Sequence, residues 1–80
     1  MDDSSVLSRI NQLADEELAL EEAHVGRPMS ADDERRLHAL EVELDQCWDL
    51  LRQRRARRAA GQDPELADVR PEDVVERYLQ

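Results

Sequence analysis

Residues 37–51 read Leu-His-Ala-Leu-Glu-Val-Glu-Leu-Asp-Gln-Cys-Trp-Asp-Leu-Leu, and the spacing within this stretch decides the fold. Apolar side chains recur at steps of three, four, three and four residues. This is the heptad pattern of a helix that packs along one narrow stripe against another helix, and a Trp flanks the stripe. We therefore predict a helix-packing seam formed by Leu37, Leu40, Leu44, Cys47, Trp48 and Leu51.

Helix boundaries can be predicted on both sides of the seam. Ser30 precedes three acids within four residues, a pattern typical of a helix N-terminus, and Gly61 is suited to a left-handed C-terminal cap. These signals predict a helix over about 31–60. Upstream, apolar residues recur at helical steps and stop before Gly26. They predict a first helix over about 5–25.

The two predicted helices are joined by about four residues, so we expect them to fold back as an antiparallel hairpin. In that arrangement the two apolar stripes meet in register without adjustment, which supports the hairpin. The expected pairs are Leu20 with Leu37, Leu13 with Leu44, Ile10 with Cys47 and Val6 with Leu51. The second helix is the longer one, and residues 53–60 should overhang the open end of the hairpin.

The rest of the chain, residues 62–80, begins with a turn and then predicts a short helix over about 71–79. One face of this helix is apolar and consists of Val74, Val75, Tyr78 and Leu79. We expect the helix to fold over the open end of the hairpin. The whole chain, 1–80, is then a single small all-α domain, with the hairpin in residues 1–61.

Composition supports a small helical protein and limits its partners. The 80 residues are 39% charged and 40% hydrophobic, with no Phe and a net charge of −9. That charge disfavours nucleic acid as a partner of the whole surface, because phosphates would be repelled. The lone Cys47 cannot form an internal disulfide, and no signal peptide or membrane span is evident. We expect a cytoplasmic protein that makes no membrane contact.

Two segments resemble a known family. Residues 43–58 read Glu-Leu-Asp-Gln-Cys-Trp-Asp-Leu-Leu-Arg-Gln-Arg-Arg-Ala-Arg-Arg, and residues 69–80 read Val-Arg-Pro-Glu-Asp-Val-Val-Glu-Arg-Tyr-Leu-Gln. Both are similar to a family of short, uncharacterised actinobacterial proteins, and the resemblance covers nearly the whole chain. It implies an actinobacterial, cytoplasmic origin. Because the family has no assigned activity, it implies no functional residues.

Candidate chemistry in the sequence is sparse. Glu17, Glu21 and His24 share one helical arc, and Glu21 and His24 have the spacing of metal ligands in ferritin-like bundles. Such sites need further carboxylates from facing helices, so we expect an exposed polar patch and no metal. A thiol–imidazole pair of Cys47 and His38 is disfavoured, because His38 projects to the polar side of its helix. We predict no catalytic residue, no cofactor and no enzymatic activity.

The segment from Arg52 to Arg58 contains five arginines in seven residues, namely Arg52, Arg54, Arg55, Arg57 and Arg58. One hypothesis is an accessory factor that contacts nucleic acid or a nucleoprotein machine through this candidate interaction surface. The simpler interpretation is a helix C-terminus stabilised by cations and neutralised by nearby acids. The acids available for neutralisation are Asp2, Asp3, Asp49, Glu72, Asp73 and Glu76.

The favoured hypothesis is a helical interaction module that acts through coiled-coil-like packing. An isolated hairpin would leave apolar side chains outside its seam, and these are Leu7, Leu18, Val25, Val42 and Leu50, with Trp48 beside it. Pairing two hairpins into a four-helix bundle would bury them, and twofold dimers are the commonest oligomers. We therefore expect a homodimer or, failing that, a different helical protein as the partner.

Overall fold

The computed structural model describes the backbone of residues 2–79 and the side chains of residues 2–77. Helix α1 spans Asp3–Glu22, α2 spans Ala31–Ala59 and α3 spans Glu72–Leu79, with one turn of 3-10 helix at Pro64–Leu66. No strand occurs within residues 2–79. The predicted all-α fold, a two-helix hairpin with a short C-terminal helix, is confirmed.

The N-termini of the two long helices are capped by side-chain oxygens. The carboxylate of Asp2 accepts a hydrogen bond from the backbone N–H of Ser5 at 2.8 Å. The hydroxyl of Ser30 accepts one from the N–H of Asp33 at 3.1 Å, as its position predicts. Each bond satisfies an amide that has no partner within its helix.

The C-termini of the same helices are followed by glycines with positive φ, 76° at Gly26 and 73° at Gly61. Helix α1 ends at Glu22, about three residues earlier than predicted. The reason is a tight turn over residues 23–26, in which the N–H of His24 already bonds the carbonyl of Glu21. The left-handed Gly26 therefore closes this turn and not the helix itself.

The hairpin core lies between α1 and α2. Val6 and Ile10 of α1 pack with Leu50 and Leu51 of α2, and Leu44, Cys47 and Ala67 pack against this cluster. Ion pairs between the helices follow the antiparallel order, from Asp3 with Arg54 at the open end to Glu16 with Arg36 near the turn. No helix within residues 2–79 has both the length and the apolar composition that a bilayer crossing requires.

The tail, residues 62–79, runs back along α2. The side-chain amide of Gln53 donates to the backbone carbonyl oxygen of Asp68 at 2.8 Å. The side-chain amide of Gln46 donates to the backbone carbonyl oxygen of Arg70 at 3.3 Å. Helix α3 therefore lies beside the first half of α2, where Glu72 is 3.8 Å from His38. The expectation that α3 covers the open end is wrong. The segment around the 3-10 turn contacts α2 instead, where Glu65 binds Arg54.

The face of α3 turned toward α2 contains Val75, which is fully buried, and the half-buried Val74. Both belong to the apolar face predicted for this helix. The side chains of Tyr78 and Leu79, the other two members, lie outside the described residues. That residues 62–80 form one folding unit with the hairpin stays a prediction.

Candidate interaction surface

The arginine-rich segment is divided between the interior and the surface. Arg54 is 4% exposed, and its Nε donates to Asp3 at 2.6 Å while its Nη1 donates to Glu65 at 3.1 Å. Arg58 binds the same Asp3 through both terminal nitrogens, one of them at 3.1 Å. Hydrogen bonds from Arg58 and then Arg54 hold the pKa of the Asp3 carboxyl far below its usual range. This pair of arginines therefore ties α2 to the N-terminus of α1.

The remaining three arginines differ from one another. Arg57 is half-buried and donates to the side-chain oxygen of Gln62 at 3.3 Å. Arg52 and Arg55 are exposed, and neither forms an ion pair with any part of the chain that the structure describes. Of the five arginines predicted to form one contact surface, Arg52 and Arg55 are the two that are exposed and form no ion pair within the described residues.

The spacing of the arginines along α2 indicates which of them face the interior. Arg54 and Arg58 follow Leu51 at steps of three and four, so they continue the seam that begins at Leu37. Their side chains accordingly face α1 and its acidic N-terminus. Glu65 also neutralises Arg54, although its place in the sequence does not indicate this pairing.

A buried ion pair that the sequence pattern does not indicate joins the tail to α2. Asp49 is 1% exposed and accepts hydrogen bonds from Arg70, through Nε at 2.9 Å and through Nη2, and from Gln53 at 2.9 Å. Hydrogen bonding by Arg70, aided by Gln53, lowers the pKa of the Asp49 carboxyl despite its burial. Asp49 thus fixes the path of the tail over α2.

The seam is present, but with one member misplaced. Leu40 and Leu51 are buried, Leu37 is half-buried, and Leu44 and Cys47 pack against the core. Trp48, in contrast, is 41% exposed, so its inclusion in the seam is wrong. It lies one step around the helix from Cys47, at the edge of the contact with α1.

Leu50 departs from the prediction in the opposite sense. It was expected to lie outside the contact between the helices, yet it is 6% exposed and belongs to the core. The tail covers it, since Ala67 packs against the same cluster. A lone hairpin would have left this side chain in water.

One side of the hairpin, which we call the Arg9 flank, is closed by ion pairs. Arg9 of α1 binds Glu43 of α2 with contacts of 2.7 and 2.9 Å, and Arg36 of α2 binds Glu16 at 2.5 Å. A groove of about 280 Å³ lies on this side. Its lining consists of Val6, Arg9, Glu43, Gln46, Cys47, Leu50 and Val69.

The other side, which we call the Trp48 flank, exposes large apolar side chains. Leu7 and Leu18 lie two residues from Arg9 and Glu16, a rotation of about 200° on a helix, so they face away from the Arg9 flank. Trp48 lies five residues from Glu43 and is turned by about 140°. Leu7 is 38% exposed and Leu18 is 56% exposed, while Val25 follows at the turn.

The Trp48 flank is negative near the turn and positive near the open end. Partial burial and then the charges of Glu21, Glu41 and Asp45 raise the pKa of Glu17. Partial burial, a hydrogen bond that protonated Glu76 donates to Asp45, and the charges of Asp45 and Glu72 raise the pKa of Glu76 on α3. The residues at the opposite end are Arg52 and Arg55.

The candidate metal ligands Glu17, Glu21 and His24 are not assembled into a site. The Nε2 atom of His24 is 2.8 Å from the carboxylate of Asp33, and its Nδ1 atom is 2.8 Å from the carbonyl oxygen of Leu20. Both ring nitrogens therefore already have partners. Among the described residues, no three His, Cys, Asp or Glu side chains are placed to hold a metal ion.

Cys47 and His38 are also kept apart. His38 is exposed beside Glu72 of α3, whereas Cys47 packs against the core between α1 and α2. The two side chains thus lie on different faces of α2, as the sequence predicts.

We expect the Cys47 thiol to react slowly in the folded protein. Burial, followed by the charge of Glu43, raises its pKa above the ordinary value of 9.0, so little thiolate is present at neutral pH. The rate of iodoacetamide alkylation measured against pH should have its midpoint above 9.0. Glu43→Gln should lower that midpoint, and the chain unfolded in guanidinium serves as the control. A folded-state midpoint at or below the ordinary value would contradict this account.

The matches between this chain and known proteins agree with one another. Residues 2–80 match a family model described as a protein of unknown function (DUF2630). Uncharacterised proteins from Mycobacterium bovis and from two strains of Mycobacterium tuberculosis are each 49% identical over 77 residues. Each alignment covers 95% of this chain and 88% of the relative. No solved structure matches the chain.

Proposed function

This chain belongs to the DUF2630 family, as the resemblance in its sequence indicates, and we propose that it is a helical interaction module whose partner is a second copy of itself. The two copies join through the Trp48 flank and form a four-helix bundle. The role is structural and non-enzymatic. The lone, half-buried thiol of Cys47 supports a reducing, cytoplasmic location.

The observation that carries the proposal is the exposed apolar surface of the Trp48 flank. Leu7, Leu18 and Trp48 are each more than a third exposed, and Val25 is 79% exposed. Together they contribute four of the six large apolar side chains exposed within the described residues. Several large apolar side chains exposed on one side of a small protein and bordered by charged residues are typical of a protein–protein contact.

The alternative, a nucleic-acid contact through Arg52–Arg58, has less to support it. Arg54 and Arg58 bind Asp3, and Arg57 binds Gln62, which leaves two arginines on a chain of net charge −9. Phosphate binding at physiological salt rests on several cations acting together. Two arginines beside an acidic surface make a poor phosphate-binding site.

We expect sedimentation equilibrium at micromolar concentration and 0.15 M salt to give twice the monomer mass of 9.3 kDa. Trp48→Glu should give a monomer, because it places a charge within the apolar contact. Helical circular dichroism should be unchanged, since Trp48 lies outside the core.

The matched control is Leu66→Glu, which adds the same charge at an apolar residue that is 61% exposed on the tail. This variant should remain dimeric. A wild-type mass that stays at the monomer value would overturn the proposal.

A further inference from the structure

The Trp48 flank carries acidic side chains at its turn end and arginines at its open end, with its apolar side chains between them. Arg52 and Arg55 are exposed near the open end and form no ion pair within residues 2–79. Eleven residues before Arg52, about 16 Å along the helix, α2 carries Glu41. Glu41 and Glu21 of α1 both raise the pKa of Glu17, because their carboxylates carry the same negative charge.

We infer that two copies pair antiparallel across the Trp48 flank, related by a twofold axis perpendicular to the hairpins, so that Arg52 and Arg55 of each copy lie against the acidic turn end of the other. The inference rests on the proposed function and specifies the geometry of that contact. The twofold axis passes near the middle of α1, midway between Leu7 and Leu18.

In this arrangement, apolar side chains of one copy face apolar side chains of the other, and arginines face acids. Leu7 and Leu18 are also eleven residues, about 16 Å, apart, so an antiparallel rotation places Leu7 of one copy beside Leu18 of the other. Trp48 lies nearly level with Leu7 in the hairpin and reaches the same apolar patch. Arg52 then arrives level with Glu21 of the second copy.

A parallel dimer through the same flank would be electrostatically unfavourable. It would place Arg52 and Arg55 against their own counterparts and Glu21 and Glu41 against theirs. Like charges that face one another across an interface disfavour that arrangement, whereas complementary potentials fix the orientation of a complex. The apolar contact alone would allow both orientations, so the charges select between them.

The crowding of acids near the turn also favours the antiparallel arrangement. Near the turn, the carboxylates of Glu21, Glu41 and Asp45 lie close enough to Glu17 to raise its pKa. Arginines from a second copy would bring positive charge to these acids. The same flank therefore carries both an excess of acids and an excess of bases, 16 Å or so apart.

The test is charge reversal at one end of the flank. Arg52→Glu with Arg55→Glu should raise the dimer dissociation constant by about tenfold or more, since four attractive contacts across the twofold axis become repulsive. Adding Glu21→Arg and Glu41→Arg to the same chain should return the constant to near the wild-type value. In a parallel dimer, the first variant would merely exchange one repulsion for another.

The matched control is Arg35→Glu with Arg77→Glu, which changes the net charge equally at exposed arginines that pair with acids on their own helices. It reports the effect of net charge alone. A wild-type dimer that Trp48→Glu dissociates, but that Arg52→Glu with Arg55→Glu leaves unchanged, would overturn this inference and leave the proposed function standing. A monomeric wild type would overturn both.

Discussion

A chain that ends after Gly61 is expected to lose most of the stability of the full protein. Val75 is fully buried against α2, and removing it alone costs about 1.5–3 kcal/mol. Truncation also exposes Leu50 and leaves Asp49 without Arg70. A protein of this size has only about 5–10 kcal/mol to lose, so the truncated hairpin should be marginally folded.

Urea denaturation followed by helical circular dichroism measures this loss. The control is a full-length chain with Val69→Ser, which alters an exposed apolar side chain of the tail and should change stability little. An unchanged unfolding midpoint after truncation would show that residues 62–80 are a separate element. It would also contradict the expectation that the chain is a single domain.

The hairpin could be predicted because its signals are local and periodic. Steps of three and four residues fix which face of a helix is apolar, and Ser30, Gly26 and Gly61 mark the ends and turns. A short connection then leaves an antiparallel fold-back as the simplest arrangement. Even Arg54 obeys this periodicity, and its burial beside Asp3 could have been inferred from its place in the seam.

The path of the tail could not be predicted in the same way. It depends on Asp49, which lies on the face of α2 opposite the seam, and on Arg70, 21 residues later. The helical repeat does not relate Asp49 to Arg70, because the two residues belong to different elements. An Asp on the polar face of a helix is ordinarily solvated. The acids near Arg52–Arg58 offered several pairings of equal merit, and the tertiary structure alone distinguishes them.

Trp48 shows the limit of a helical projection. A stripe assigns a residue to a sector of the helix, but a residue at the edge of that sector can turn inward or outward. Here Leu50 is drawn into the core by the tail, while Trp48 has no such cover and is 41% exposed. Which apolar side chains of the hairpin stay exposed therefore depends on the position of the tail, which helical periodicity does not indicate.

Arg70→Ala is expected to destabilise the protein by about 3 kcal/mol, because it removes the cation that hydrogen-bonds to the buried carboxylate of Asp49 and leaves only the nearby charge of Arg52. This is the lower end of the range for a broken buried pair, since the Arg70 side chain is 34% exposed. Urea denaturation measures the change. Gln53 still donates to Asp49 in the variant but carries no charge to offset it.

The effect of Arg70→Ala should depend on pH in a defined direction. The folded-state pKa of Asp49 lies below its ordinary value of 3.8, mainly because of Arg70. A depressed carboxyl pKa contributes stability that is present above the unfolded-state pKa and is lost as the pH falls through the folded-state pKa. The difference between wild type and variant should therefore be constant near neutrality and shrink below roughly pH 5.

Two further variants separate the buried charge from the loss of tail packing. Arg77→Ala removes an exposed arginine from the same tail, whose side chain is 73% exposed, and should change stability little. Asp49→Leu combined with Arg70→Met replaces the ion pair with apolar side chains and should recover most of the stability that Arg70→Ala loses, because no unpaired charge is then buried. If the double variant were as unstable as Arg70→Ala, the cost would lie in the packing of the tail and not in the Asp49 carboxylate.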